Sequence, residues 1–129
     1  MTAHDELRAL VQRYARAADE RDIDALSALF HPEATIQGSR GAQTLHEWLD
    51  TMRAPRTFPT SMHVLGDPLI ELDGEREGLL DTYAVVYQLG NKETGQDDLT
   101  LGIRYLDDVV RNDERWVIRR RAARTLWMR

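Results

Sequence analysis

The chain has 129 residues, enough for one domain and one sealed core and too few for a second. A hydrophobic content of 42% excludes a disordered chain, and 22 acidic against 17 basic residues, a formal charge of −5, argue against nucleic acid as the main partner. The absence of cysteine excludes a disulfide framework and a thiolate metal site.

No stretch approaches the roughly 18 consecutive apolar residues that a membrane span needs. The opening MTAHDELRAL is charged from residue 4 and has no apolar h-region, so a cytoplasmic protein without a membrane partner is expected. The first predicted element is a helix over residues 4–20, because Leu7, Leu10, Val11, Tyr14 and Ala18 recur at helical spacing and Asp5 and Glu6 suit its first turn. A short helix over 22–30 follows, with Asp22 as cap, Ala25, Leu26, Leu29 and Phe30 as its buried face, and Pro32 as its stop. Residues 34–37 read as a short strand, Gly38–Gly41 as a turn, and 42–53 as a third helix with Leu45, Trp48, Leu49 and Met52 on its apolar stripe.

The two prolines between Ala54 and Thr60 make a loop. Strands then dominate: 62–72, interrupted at Gly66-Asp67-Pro68; 77–89 after the Asp73-Gly74 turn; 99–110; and 115–127 after the turn at 112–114. Helices first and strands later predict an α+β domain over residues 1–129. Three N-terminal helices would cover one face of a strongly curved, mostly antiparallel sheet, giving a cone-shaped α+β barrel whose mouth suits a ligand. The outer face, with Val109, Val110 and Trp127, would be hidden in a homodimer or small homo-oligomer.

The segment from Tyr14 to Ala34 (YARAADERDIDALSALFHPEA), Gly41 at the turn into the third helix and the closing Glu114-Arg-Trp116-Val-Ile118 resemble the SnoaL-like group of the nuclear transport factor 2-like superfamily. The resemblance covers nearly the whole chain. Its motifs are specific for the fold and weak for the reaction, because this superfamily holds dehydratases, dehydrochlorinases, isomerases, cyclases, epoxide hydrolases and non-catalytic binders. The dehydratase and dehydrochlorinase members pair an Asp late in the first helix with a His in the strand after the Pro-rich loop. By placement that pair is Asp19 and His63 here, the His as proton acceptor and the Asp as its support. Arg121 matches a polar pocket position of the dehydrochlorinase. No histidine follows His63, so the second catalytic histidine of the scytalone dehydratase pattern is missing.

The pair makes chemical sense without the resemblance. Imidazole accepts a proton near neutral pH, and a carboxylate on its other nitrogen fixes the tautomer and stabilises the imidazolium. The opposing consideration is that Asp19 near a helix C-terminus is more often a solvent-facing charge or a cap, and His63 on a strand can be a satisfied core residue. Of the aromatic residues, Tyr14, Trp48, Phe58, Tyr83 and Tyr105 are the candidates for lining a substrate site together with Arg121. The four histidines show no ligand spacing and no Gly-rich phosphate loop is present, so neither metal nor cofactor is expected. Two functions follow: a cofactor-independent lyase or isomerase for a small, largely apolar polyketide-, terpenoid- or steroid-like substrate, or a non-catalytic ligand-binding or dimerisation module.

Overall fold

The computed structural model describes residues 1–129. Helix α1 (Ala3–Glu20) starts where Thr2 and Asp5 form a reciprocal capping box, one residue earlier than the acidic turn suggested. It buries Leu7, Leu10, Val11, Tyr14, Ala17 and Ala18 along one stripe. It stops at Arg21, whose left-handed backbone (φ 53°) returns its N–H to the carbonyls of Ala17 and Ala18. Helix α2 (Ile23–Ala28) is capped by the Asp22 side chain, which accepts from the N–H of Ala25.

The predicted continuation of this helix to Phe30 is overturned. The Leu29 carbonyl accepts from Ile118 N–H at 2.9 Å, and Phe30 opens strand β1 (Phe30–Gly38) in parallel register with Ile118. Pairing with the sheet displaces the last helical turn. Pro32 therefore lies inside β1, within the irregular stretch between Phe30 and Thr35 where a missing N–H costs no ladder bond. Strand β2 (Gly41–Thr44) pairs with β1, so helix α3 (Leu45–Arg53) begins three residues later than its stripe predicts. The cause is a second capping box: Thr44 Oγ1 accepts from Glu47 N–H at 3.2 Å, and Glu47 Oε1 accepts from Thr44 N–H at 3.0 Å.

The interrupted strand of the prediction is two strands, β3 (Thr60–Leu65) and β4 (Leu69–Asp73), which lie end to end along β5 (Glu77–Leu89). Strands β6 (Leu99–Asn112) and β7 (Arg115–Met128) complete an antiparallel meander. The strand order is β2-β1-β7-β6-β5-β3, and only β1 with β7 is parallel. The sheet is curved and unclosed, as expected for an α+β cone, and the three helices occupy its inner side.

Register assigns the faces. His63, Val86 and Leu101 form one inner row; Leu65, Ala84 and Ile103 the next; then Thr82, Tyr105 and Ala123; then Leu80, Asp107 and Arg121. A bulge between Asp108 and Val109 makes Arg119 an extra residue on β7, so Arg119 and Arg120 are both exposed while Arg121 turns inward. Leu7, Leu26, Leu80, Val109 and Ile118 are at the sealed centre of the core. Val109, expected on the outer face, is thus an inner residue, because it continues the unbroken β6 alternation of Leu101, Ile103, Tyr105 and Asp107.

Removing the hydroxyl that starts α3 leaves the Glu47 N–H of its first turn without a partner. Thr44→Ala is expected to lower the unfolding free energy by about 1 kcal/mol, read as a shifted midpoint in urea with an unchanged slope.

Candidate active site

Asp19 sits in the last turn of α1, the negative end of the helix dipole, where a carboxylate is disfavoured. Three donors from β3 compensate it. His63 backbone N–H reaches Oδ2 at 2.9 Å, Ser61 Oγ reaches Oδ1 at 3.0 Å, and His63 Nδ1 lies 2.6 Å from the same Oδ1. Ser61 and His63 are two apart on one strand and so share its inner face. A carboxylate that only accepts holds the proton on Nδ1 and leaves the lone pair on Nε2. Nε2 makes no hydrogen bond in the chain, and it is not among the sealed polar atoms without partners, which are Thr82 Oγ1, Trp116 Nε1 and Arg121 Nη1. The nitrogen that can accept a proton therefore keeps access to the surroundings.

Arg121 is 2% exposed and forms a forked pair with Asp107, Nε–Oδ1 at 2.8 Å and Nη2–Oδ2 at 3.0 Å. Its guanidinium carbon lies 3.9 Å from the Tyr14 ring centre and 4.3 Å from that of Tyr105. Burial works against the charge, but Asp107 and the two rings more than restore it, so Arg121 stays protonated. Burial likewise pushes the Tyr105 phenol well above its ordinary range. Tyr14 links the groups: its ring meets His63 edge-on at 6.0 Å, stacks with Trp48 at 6.4 Å and meets Tyr105 at 5.6 Å.

Of the predicted site residues, Asp19, His63, Tyr14, Trp48, Tyr105 and Arg121 thus come together on the inner side. Tyr83 does not. It stands on the outer face of β5, 61% exposed, with Arg104 against its ring. The alternation along β5 left its inner set open, and the structure gives Leu80, Thr82, Ala84 and Val86. Phe58 is half-buried in the loop before β3, outside the ring cluster, and its carbonyl accepts from Arg56 Nε at 3.2 Å. Asp107, Ser61 and Arg56 were missed. Ser61 carried a signal in its spacing from His63; Asp107 and Arg56 are revealed only by the register of β6 with β7 and by the course of the loop.

The inner side is not sealed throughout. Leu65, Ile103 and Ala123 on the strands, and Trp48 and Met52 on α3, pack on the core yet stay partly exposed. Helix α3 rests chiefly on α2, β1 and β2. A concavity of about 1000 Å³ lies elsewhere for most of its length. It follows the outward side of α1 past Arg13 and Arg16, reaching Asp19 and His63 at one end. Its lining mixes apolar side chains such as Leu10 and Leu29 with charged ones such as Arg13 and Glu20, and it takes in none of Tyr14, Trp48 and Tyr105. No three His, Asp or Glu side chains gather as metal ligands.

The model of the SnoaL-like domain matches residues 1–122. The chain belongs to the SnoaL-like domain family. An uncharacterised protein of Mycobacterium tuberculosis strain H37Rv is 29% identical over 123 residues, covering 90% of this chain and 80% of the relative. A crystal structure of a candidate scytalone dehydratase from Novosphingobium aromaticivorans superposes with a TM-score of 0.87 at 22% identity, over 97% of this chain and 85% of the other. The hexachlorocyclohexane dehydrochlorinase LinA-type3 of Novosphingobium barchaimii gives 0.84 at 14% identity, over 97% and 87%. At these identities the two structures establish a shared fold. No helix of this SnoaL-like chain is long and apolar enough to cross a membrane.

Burial lowers the His63 pKa below its ordinary 6.5; the Asp19 hydrogen bond and charge oppose this, and Arg121 and Arg21 add to it. His63 is thus neutral in the folded chain at pH 7. The unfolded chain takes up a proton near pH 6.5 that the folded one still refuses, so stability falls as the pH drops below about 6.5 toward the folded pKa. A ¹H–¹⁵N titration of the imidazole is expected to give a midpoint below 6.5, and His63→Gln to flatten the stability loss over that interval. A midpoint at or above 6.5 would contradict the assignment.

Proposed function

We propose that the chain is a cofactor-independent lyase or isomerase for a small, largely apolar substrate, with His63 as the general base. The observation that carries this reading is the 2.6 Å contact between His63 Nδ1 and Asp19 combined with an unpartnered, accessible Nε2. In the reaction Nε2 takes a proton from a carbon next to a carbonyl or a leaving group. The C–H electron pair becomes a new double bond. Either the leaving group departs with its own bonding pair, or the proton returns at another carbon. Asp19 offsets the imidazolium charge that forms.

Arg121 supplies the electrophilic side. Its Nη1 is a buried donor without an acceptor, next to two rings that hold it rigid. Such a preorganised donor favours negative charge developing on a substrate oxygen or leaving group. Trp48, Met52, Leu65 and Ile103 offer an apolar wall to the rest of a flat polyketide-, terpenoid- or steroid-like molecule. The dehydrochlorinase and the candidate dehydratase that share the fold are, by name, elimination enzymes, which supports this class of reaction for the present chain.

The second reading is a pocket that binds such a ligand without turning it over, favoured by the close packing of Tyr14, Phe30 and Tyr105 around Arg121. A thermal-shift screen of aromatic and polycyclic ketones, alcohols and halides, followed by turnover assays on each hit, separates the two. His63→Ala and Asp19→Asn are each expected to lower turnover by about 10² or more, with the fold retained by circular dichroism. Ligands that bind and are never transformed would move the conclusion to the second reading, and full turnover by His63→Ala would end the first.

A second copy of the chain is the proposed partner. Met62, Val64, Leu79, Tyr83, Tyr87 and Trp127 are each at least 40% exposed, and a cluster of exposed large apolar side chains suits an interaction surface. Asp81 and Arg104 pair on the same face, and Asp108 and Arg120 stand opposite each other there, so a two-fold copy would meet its own complement in charge. Sedimentation velocity at high micromolar concentration is expected to give a dimer, and Tyr83→Asp a monomer with unchanged secondary structure. A wild-type monomer at that concentration would contradict it.

A further inference from the structure

We propose that Arg56 and Ser61 are positioning residues that set the proton affinity of His63 through Asp19. The inference rests on the reading of His63 as the base but is tested without any substrate. Arg56 comes from the loop between α3 and β3, a segment otherwise without regular structure. Each of its three nitrogens has one partner: Nε on the carbonyl of Phe58 at 3.2 Å, Nη1 on the carbonyl of Asp19 at 2.9 Å, and Nη2 on Ser61 Oγ at 3.1 Å. None of these partners is a carboxylate. The guanidinium therefore ties the loop to the end of α1 and to β3, directly behind the Asp19 carboxylate.

The donor chemistry gives this cluster a direction. A guanidinium only donates, so Ser61 Oγ must accept from Arg56. The single hydroxyl proton of Ser61 is then free to go to Asp19 Oδ1, 3.0 Å away. The same Oδ1 accepts from His63 Nδ1. The order Arg56, Ser61, Asp19, His63 can run only one way while the carboxylate is ionised, and it ends with the lone pair on Nε2. Without Arg56 the hydroxyl is free to turn away from Asp19, and Oδ1 would lose that donor while still accepting from His63.

The effect on the imidazole follows from sharing one oxygen. The Ser61 hydrogen bond draws electron density from Oδ1, which weakens it as a partner for an imidazolium. Removing that bond strengthens the Asp19–His63 attraction and favours the charged ring. The other groups facing His63 are Arg21 at the end of α1 and Arg121 on β7, which both disfavour the charge, and the Tyr14 ring on α1. None of them is altered by a change at Ser61.

The test is a ¹⁵N titration of the His63 ring in the free protein. Wild type is expected as the Nδ1–H tautomer. Ser61→Ala should raise the midpoint by about half a pH unit or more, and Ser61→Thr, which keeps the hydroxyl on a strand that suits a β-branched residue, should return it to the wild-type value. Arg56→Gln should move the midpoint in the same direction as Ser61→Ala. A residue that merely stabilised the fold would lower the melting temperature in these variants and leave the midpoint unchanged. That result in a folded Ser61→Ala protein overturns the proposal, with Ser61→Cys in its place should the alanine variant not fold. A shift in Ser61→Ala with none in Arg56→Gln overturns the arginine's part. The outcome is independent of turnover: a catalytically idle protein can still show the shift, and an active one can lack it.

Discussion

One carboxylate joins the helical half of the molecule to the sheet. Asp19 lies where a helix dipole disfavours it, and it is held by two side chains and one backbone N–H of β3. A backbone donor matters here because it belongs to the strand and not to a mobile side chain. The end of α1 is registered against β3 by Asp19 as firmly as strands are registered by their ladders. The orientation of the His63 imidazole follows from the same bonds, so the placement of the helix and of the ring are one arrangement.

The second polar centre is sealed more completely. Asp107 is 2% exposed, as is Arg121, and they face each other across β6 and β7. A buried pair of this kind contributes little net stability compared with apolar packing, but removing one member strands a charge at a cost of about 3–5 kcal/mol. The Tyr14 ring spans the space between the two centres, 3.9 Å from the Arg121 guanidinium carbon and 6.0 Å from the His63 ring. A change at Tyr14 would therefore loosen both at once.

Much of this arrangement was legible in the sequence, for identifiable reasons. The stripe of α1 has helical period, and the loop with Pro55 and Pro59 before His63 marks the start of a strand. Asp19 and His63 stood out through the family resemblance more than through their own spacing. What remained hidden depends on long-range pairing. Phe30 has the composition of a helical face, and only its partner Ile118 makes it a strand residue. The four-residue β2 is too short to show a period, although Thr44-x-x-Glu47 marks the helix start that bounds it. Tyr83 went to the wrong face because every second residue of β5 is apolar on both sides, which leaves the alternation without a sign. Val109 belongs inward by the same alternation as Leu101, Ile103 and Tyr105; what stayed hidden is Arg119, the extra residue on β7.

The pairing of β1 with β7 has a consequence for how the chain is made. β1 has β2 on one side, but its other edge has no partner until the last strand emerges, and Ile118 is needed to close the Leu29 carbonyl as well. During synthesis the helices and β1 must wait with their apolar stripes uncovered while the whole meander is added. Contacts of such long sequence separation slow folding, because the loop entropy is lost before the pairing is gained. The growing chain thus has a long interval in which aggregation competes with completion, and truncation within the last strand would leave not a smaller domain but an open one.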